Sequence, residues 1–182
     1  LSNWSNQCFI IDPVDYAKAE DSGKILAVIH SHPTTQPIAS QADMISCEDT
    51  KLPWHIVNPK TEQWGYYEPS GYKPPLIGRH WVWGITDCWS LVRDWYKEQL
   101  GITLRDWNRP TTPEEFIADP MFERCAWRTG FRQLRPEEKL ENGDLLFMSI
   151  LATGLNHVAI FIDGDVLHHL ADRISCKEPY NE

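Results

Sequence analysis

Apolar residues recur at i, i+3, i+4 and i+7 along Cys88-Trp-Ser-Leu-Val-Arg-Asp-Trp-Tyr96, which places Cys88, Leu91, Val92 and Trp95 on one face of a predicted helix. Thr86 or Asp87 can cap its start, and Gly101 ends it. Shorter patterns precede it. Cys8-Phe-Ile-Ile11 is an apolar run that reads as a buried strand. Asp12-Pro13 opens a helix with Tyr16 and Ala17 on its apolar side and Ser22-Gly23 as its stop. Lys24 to Ile29 predicts a strand running straight into His30-Ser-His-Pro33, and a helix follows from Ser40 to Glu48. Trp54 to Val57 and Gln63 to Tyr67, separated by Asn58-Pro-Lys-Thr61, predict a hairpin on which His55 is structural.

Glu68 to Leu76 is rich in proline and glycine and has no apolar period, so it divides the chain into a domain at 1–67, a linker at 68–75 and a second domain at 76–182. Residues 103–142 are polar and punctuated by proline, with short helices expected at Pro113–Ile117 and around Phe122–Trp127. Strands are expected at Leu145–Ser149, Asn156–Ile162 and Val166–Leu170, the last two joined by a tight turn at Asp163-Gly-Asp165. The fold class is α+β, in two domains.

Composition narrows the function. With 42% hydrophobic and 12% aromatic residues, 182 residues can build real cores. A net charge of −9, with 17 lysines and arginines in no run, argues against nucleic acid as a partner. The five cysteines, at 8, 47, 88, 125 and 176, form no C-x-x-C pair and cannot all pair internally, so a reducing compartment fits better than a disulfide framework. No apolar run approaches the roughly eighteen residues of a membrane span, and no basic stretch followed by an apolar core opens the chain; a soluble protein without its own export signal is expected. The start at Leu1 without methionine leads to the expectation of a processed chain or a fragment.

Two clusters carry candidate chemistry. A cysteine in the first turn of a helix meets unpaired N–H groups and the positive end of the dipole, which can lower its pKa to about 3.5–7.5; Cys88 is then a nucleophile, or else a small buried hydrophobe. His157 opens one strand and His168 lies on its antiparallel neighbour, so the hairpin can bring the two imidazoles together. Cys88 attacking a carbonyl, His157 relaying the proton and His168 holding the imidazole make a nucleophile, base and orienter set. Read alone, a strand histidine is a satisfied half-buried residue. In the first half, His30 and His32 project to the same side of a strand, and Asp43 stands at the start of the next helix. Two imidazoles, one carboxylate and an open position describe a catalytic zinc site. The other readings are a capping box for Ser40-x-x-Asp43 and a surface loop for the histidines.

His30-Ser-His-Pro33 with Ser40-x-x-Asp43 resembles the metal motif of the JAMM (Mov34/MPN) metalloproteases. That resemblance implies an α/β unit with His30, His32 and Asp43 as Zn2+ ligands, Ser40 helping to hold the oxyanion, and an upstream glutamate as base. Neither Glu20 nor Glu48 stands at the matching place, so a zinc site lacking its base is expected. Thr86-Asp-Cys-Trp-Ser-Leu-Val92, Gly143-Asp-Leu-Leu-Phe147, Asn156-His-Val-Ala-Ile-Phe161 and Val166-Leu-His168 resemble the NlpC/P60 cysteine peptidases over residues 75–182. The resemblance implies a papain-like α+β fold, Cys88, His157 and His168 as catalytic residues, and cleavage of peptidoglycan stem peptides at the D-γ-glutamyl–diamino acid bond. The short turn at Asp163–Asp165 leaves His169 as an alternative orienter, while the apolar pair Val166-Leu167 favours His168. Strands expected after that histidine are missing or represented by Arg173–Cys176. The succession of two such units resembles the tail tip proteins of lambda-like tailed phages. It implies other tail tip proteins as partners, the host cytoplasm during assembly and the virion tail tip as locations, and, as the alternative to wall hydrolysis, a tail assembly factor.

Overall fold

The computed structural model describes residues 11–110, 112–119 and 121–181, in a chain that divides into two units, Leu1–Pro74 and Pro75–Glu182. In the first unit, α1 (Pro13–Ser22) begins where Asp12 accepts a hydrogen bond from the Val14 N–H. Pro13 sits in the first turn, where no donor is needed. On the apolar side expected at Tyr16 and Ala17, Tyr16 is half-buried and Ala17 exposed, and no residue of the helix is fully buried, because it carries too few large apolar residues to form a stripe. The strand expected over Cys8–Ile11 lies outside the described residues except for Ile11, which has no regular structure.

β1 (Val28–Ser31) starts at Val28 rather than Lys24 and continues through His30. Its partner β2 (Trp54–Asn58) sets that limit: Val28 is in register with Trp54, and Leu26 stays exposed beyond the ladder. Between them α2 (Gln41–Thr50) makes the crossover that parallel strands require. β3 (Gln63–Tyr67) returns antiparallel to β2, giving a three-stranded sheet in the order β1-β2-β3. Val28, Cys47 and Trp54 form its small core, and the Trp54 indole N–H donates to Thr50 Oγ1 at 3.0 Å. Segment 68–74 has no regular structure, but Glu48 accepts the N–H groups of Ser70 at 2.6 Å and Tyr72 at 2.9 Å and ties it to α2.

In the second unit α3 (Cys88–Leu100) follows the predicted stripe: Cys88, Leu91, Val92 and Trp95 are all buried, and Gly101 closes the helix in the left-handed region at φ 68°. Here glycine avoids the Cβ clash that other residues meet. The polar middle holds α4 (Pro113–Ala118), α5 (Met121–Cys125) and a 3₁₀ turn at Ala126–Thr129. β4 (Leu145–Met148), β5 (His157–Ile162), β6 (Asp165–His168) and β7 (Cys176–Pro179) form an antiparallel sheet in that order. Asp163 and Gly164, at φ 54° and 85°, form the two-residue turn whose twist suits a hairpin.

Two expectations shift. β6 ends at His168 rather than Leu170, since its pairing with β7 stops where His168 meets Cys176. The final strand is Cys176–Pro179, whereas Ile174 and Ser175, part of the stretch expected to stand in for it, pair instead with residues 78–80. That second junction is fastened by Arg79, whose side chain is wholly buried. Its Nη1 donates to Asp94 at 2.8 Å and its Nε to the Pro75 carbonyl at 2.9 Å, while its backbone N–H donates to Ser175 Oγ at 2.9 Å.

The core of this unit packs Leu91, Val92 and Trp95 of α3 against Val158, Ile160 and Leu167 of the sheet, with Phe116 and Phe122 completing it. Each such side chain contributes about 1.5–3 kcal/mol by leaving water, and Leu91→Ala would cost about 2–5 kcal/mol. Among the described residues no helix is long and apolar enough to cross a membrane.

Candidate functional site

Of the two caps the sequence allowed for α3, Asp87 is the one used. Its carboxylate accepts the Ser90 N–H at 2.9 Å and the Gly84 N–H at 3.0 Å, while the buried Thr86 hydroxyl donates to the His80 carbonyl at 2.7 Å. These bonds fix the turn that presents Cys88. Arg109, from the segment after the helix, donates from Nη2 to Asp87 Oδ1 at 3.0 Å and from Nη1 to Asp106 at 3.0 Å. Cys88 lies in a cleft walled by Trp83, Trp89, Trp107, Arg109 and Phe122.

The thiol is not the low-pKa group that the helix start led one to expect. Burial, with the Asp87 carboxylate as a second cause, pushes its pKa up to about 12. The Val158 and Trp89 N–H groups and the Arg109 guanidinium oppose this without overcoming it. Desolvation outweighs the helix dipole here because the dipole supplies only about half a charge. Cys88 therefore rests as a neutral thiol, with its sulfur against the start of β5.

His157 is the first residue of that strand. Ala159 is in register with His168, so His168 stands diagonally across the ladder on the same face as His157. The two rings meet edge to face with centroids 5.5 Å apart. Burial, together with the neighbouring His168 and His169, lowers the pKa of His157 to about 4. It is a neutral imidazole at neutral pH. His169 lies beyond the end of β6, fully buried, with Nε2 3.0 Å from the Arg173 carbonyl. Geometry thus sets His168, not His169, against His157.

In the first unit His30 lies in β1 and His32 just past its end, where its N–H still donates to the Val57 carbonyl at 2.8 Å, so the two rings come to the same side with centroids 5.0 Å apart. Their Nε2 atoms are 3.1 Å apart, and they lie 3.2 and 3.4 Å from the two Asp43 carboxylate oxygens, respectively. Around one tetrahedral ion with bonds of about 2.0–2.1 Å, donor atoms stand about 3.3 Å apart, so this trio presents its atoms as a divalent cation needs them. Ser40 and Asp43 also form the capping box: Ser40 Oγ accepts the Asp43 N–H at 3.1 Å, and Asp43 Oδ2 accepts the Ser40 N–H at 2.8 Å. The helix cap and the cluster thus share one carboxylate. Burial alone would raise the Asp43 pKa, but hydrogen bonds from His30 and Ser40 hold it below the ordinary value. Glu48 is taken up by segment 68–74, and Glu20 is exposed on α1, so neither joins the cluster.

The loop between His32 and Ser40 is clamped from the sheet. Asn58 donates to the Thr35 carbonyl at 2.7 Å, and the Tyr67 hydroxyl accepts the Ala39 N–H at 2.9 Å. Gly65 lets the loop approach, since a Cβ there would stand 2.1 Å from the Pro37 oxygen. Sequence reasoning missed this clamp, the Asp87–Arg109 pair and Arg79. For Asp87 the signal was its place beside the cysteine; Arg109, in an aperiodic stretch, gave none.

The chain matches the NlpC/P60 family over residues 78–182. It is 38% identical over 185 residues to "Tail tip assembly protein K" of Escherichia phage N15, covering 99% of this chain and 74% of that protein. Identity to the protein of the same name from Escherichia phage lambda is 32% over 173 residues, covering 94% of this chain and 83% of the relative. No solved structure gives a significant match. The match covers the cysteine helix and the histidine strands together, and the chain accordingly belongs to the NlpC/P60 family of cysteine peptidases and amidases, in the branch of phage tail proteins that carry this domain.

Proposed function

We propose that the second unit is a cysteine endopeptidase of the phage tail that cleaves peptidoglycan stem peptides at the D-γ-glutamyl–diamino acid bond. One observation carries this reading: Cys88, at the start of α3, abuts the strand whose first residue, His157, meets His168 edge to face. As the Cys88 sulfur attacks the scissile carbonyl carbon, its proton passes to His157. The same proton then goes to the leaving amine, and water, deprotonated by His157, releases the acyl group from sulfur. His168 accepts the far N–H of His157 and so fixes its tautomer. Because the thiol rests protonated and His157 rests neutral, proton transfer accompanies attack instead of preceding it.

On the same reading the first unit resembles a JAMM metalloprotease and holds Zn2+ through His30, His32 and Asp43, with Ser40 beside them to help hold an oxyanion. Bound zinc would supply a Lewis acid and a water of lowered pKa. Without a carboxylate base at the cluster among the described residues, the unit binds metal and leaves wall hydrolysis to Cys88.

The test is digestion of purified peptidoglycan with mass analysis of the fragments. Wild-type protein should release them, Cys88→Ala should not, and a chelator should leave them unchanged. Fragments persisting with Cys88→Ala would refute the thiol mechanism. A second reading, a tail assembly factor with little hydrolysis, is favoured by the names of the two relatives. It predicts no fragments from the wild type, and loss of tail tips when the chain is withheld from assembly.

A further inference from the structure

We infer that His168, Cys176 and Glu178 form a binding site for one divalent cation of the zinc class, and that filling it switches the peptidase off. The three residues come from two paired strands. His168 is in register with Cys176, and Glu178 lies two residues along on the same side of β7. A nitrogen, a sulfur and a carboxylate oxygen thus lie within 4.8 Å of one another. His168 Nε2 is 3.4 Å from Glu178 Oε2, and Cys176 Sγ is 3.7 Å from Glu178 Oε1. With bonds of about 2.0–2.1 Å to nitrogen and oxygen and 2.3 Å to sulfur, a tetrahedral ion sets its donors about 3.3–3.6 Å apart. The pairs therefore sit close to ligand spacing before any ion arrives.

A second observation points the same way. His168 is 7% exposed, and its Nε2 is buried and makes no hydrogen bond. An imidazole, a thiolate and a carboxylate select a borderline cation such as zinc over calcium or magnesium, which prefer oxygen alone. Cys176 is half-buried and Glu178 exposed, so an ion can enter from solvent and keep a water as its fourth ligand.

The consequence for catalysis follows from electron pairs, and this part rests on the function proposed above. A neutral imidazole has one nitrogen lone pair. If it binds the cation, the other ring nitrogen carries hydrogen, and His168 can only donate. It can then no longer accept the N–H of His157, so the metal-bound and orienting states exclude each other. Cys88 keeps its place but loses a correctly held base.

Cobalt(II) tests the site without reference to hydrolysis. Added to the reduced, metal-free full chain, it should give a near-ultraviolet thiolate-to-metal absorption that saturates by two equivalents per chain, the other equivalent going to the first unit, and is displaced by zinc. The His30/His32/Asp43 cluster contains no sulfur, so the band should persist in the His30→Ala, His32→Ala double variant. It should vanish in Cys176→Ser and weaken in Glu178→Gln, each checked by far-ultraviolet circular dichroism for retained fold. No band in the wild type, or a band surviving Cys176→Ser, would overturn the site. For the switch, the activity ratio with and without two equivalents of zinc, enough to fill both clusters, should fall at least about tenfold in wild type, the scale on which losing such an orienting contact acts. It should stay near one in Cys176→Ser; an unchanged wild-type ratio alongside an intact cobalt band would overturn the switch alone.

Discussion

The ion pair beneath Cys88 allows a test in which two substitutions move one thiol in opposite directions. Asp87 is 1% exposed, and its charge is offset by Arg109, whose side chain is 9% exposed. Arg109→Gln leaves the carboxylate buried with only the Gly84 and Ser90 N–H groups. Removing one partner of a buried pair costs about 3–5 kcal/mol, a large part of the roughly 5–15 kcal/mol that holds a domain together. For a unit of this size, about 3 kcal/mol lowers the melting temperature by at least about 10 °C. The Cys88 thiol, relieved of a cation but not of Asp87, should become still harder to ionise. Asp87→Asn removes the negative charge while keeping a side chain that caps well, and Arg109 retains Asp106. Its stability cost should be smaller, and the thiol pKa should fall below about 12. The assay is the rate of alkylation by iodoacetamide against pH, beside urea unfolding. Alkylation of Cys88 shifting the same way in both variants would refute the electrostatic account.

Acid should weaken the second unit through its histidines. His157 and His169 fall to about 4 in the folded chain against about 6.5 when unfolded. Stability is therefore full above pH 6.5 and lost as pH falls toward 4, by up to about 3 kcal/mol for each group. Urea midpoints measured from pH 8 to 4 should follow this, and His169→Asn should lessen the slope. For the same reason the acid limb of peptide cleavage should lie near pH 4, and a limb at 6.5 would contradict a buried neutral base. Gly65→Ala should force the 33–39 loop off the sheet, cost about 1–3 kcal/mol and weaken zinc binding in a dye-competition titration while leaving Cys88 alkylation unchanged. Arg79→Leu should cost roughly 2–3 kcal/mol from its lost charged hydrogen bonds, read as a lower urea midpoint of the second unit.

The parts legible in the sequence were those with a local period. The α3 stripe, its glycine stop and the hairpin at Asp163–Gly164 each declare themselves within a few residues, and they carry Cys88, His157 and His168. What escaped was set by distance or by solvent. Desolvation of Cys88 depends on cleft walls drawn from Trp83 to Phe147, so the helix start alone predicted the wrong direction for its pKa. β7 reads Cys-Lys-Glu-Pro, with no apolar alternation, and becomes a strand only because β6 offers it an edge. β1 was placed too early because nothing before Val28 shows where the β2 ladder begins. The Ser40–Asp43 motif was legible twice over: it is a helix cap and part of a ligand-like cluster at once, and neither reading excluded the other.

The bond from the Arg79 N–H to Ser175 spans 96 positions and has a consequence for synthesis. In the first unit the bonds that clamp the 33–39 loop and the 68–74 segment span at most 30. A nascent chain can complete those early, before α3 exists. Arg79, by contrast, must wait until Ser175 has left the ribosome before its surroundings close, and non-local contacts of this kind slow folding. From the completion of α3 until β4 to β7 emerge, its apolar face therefore lacks its sheet, and the thiol that is later sealed in the cleft stands open to oxidants and to chaperones.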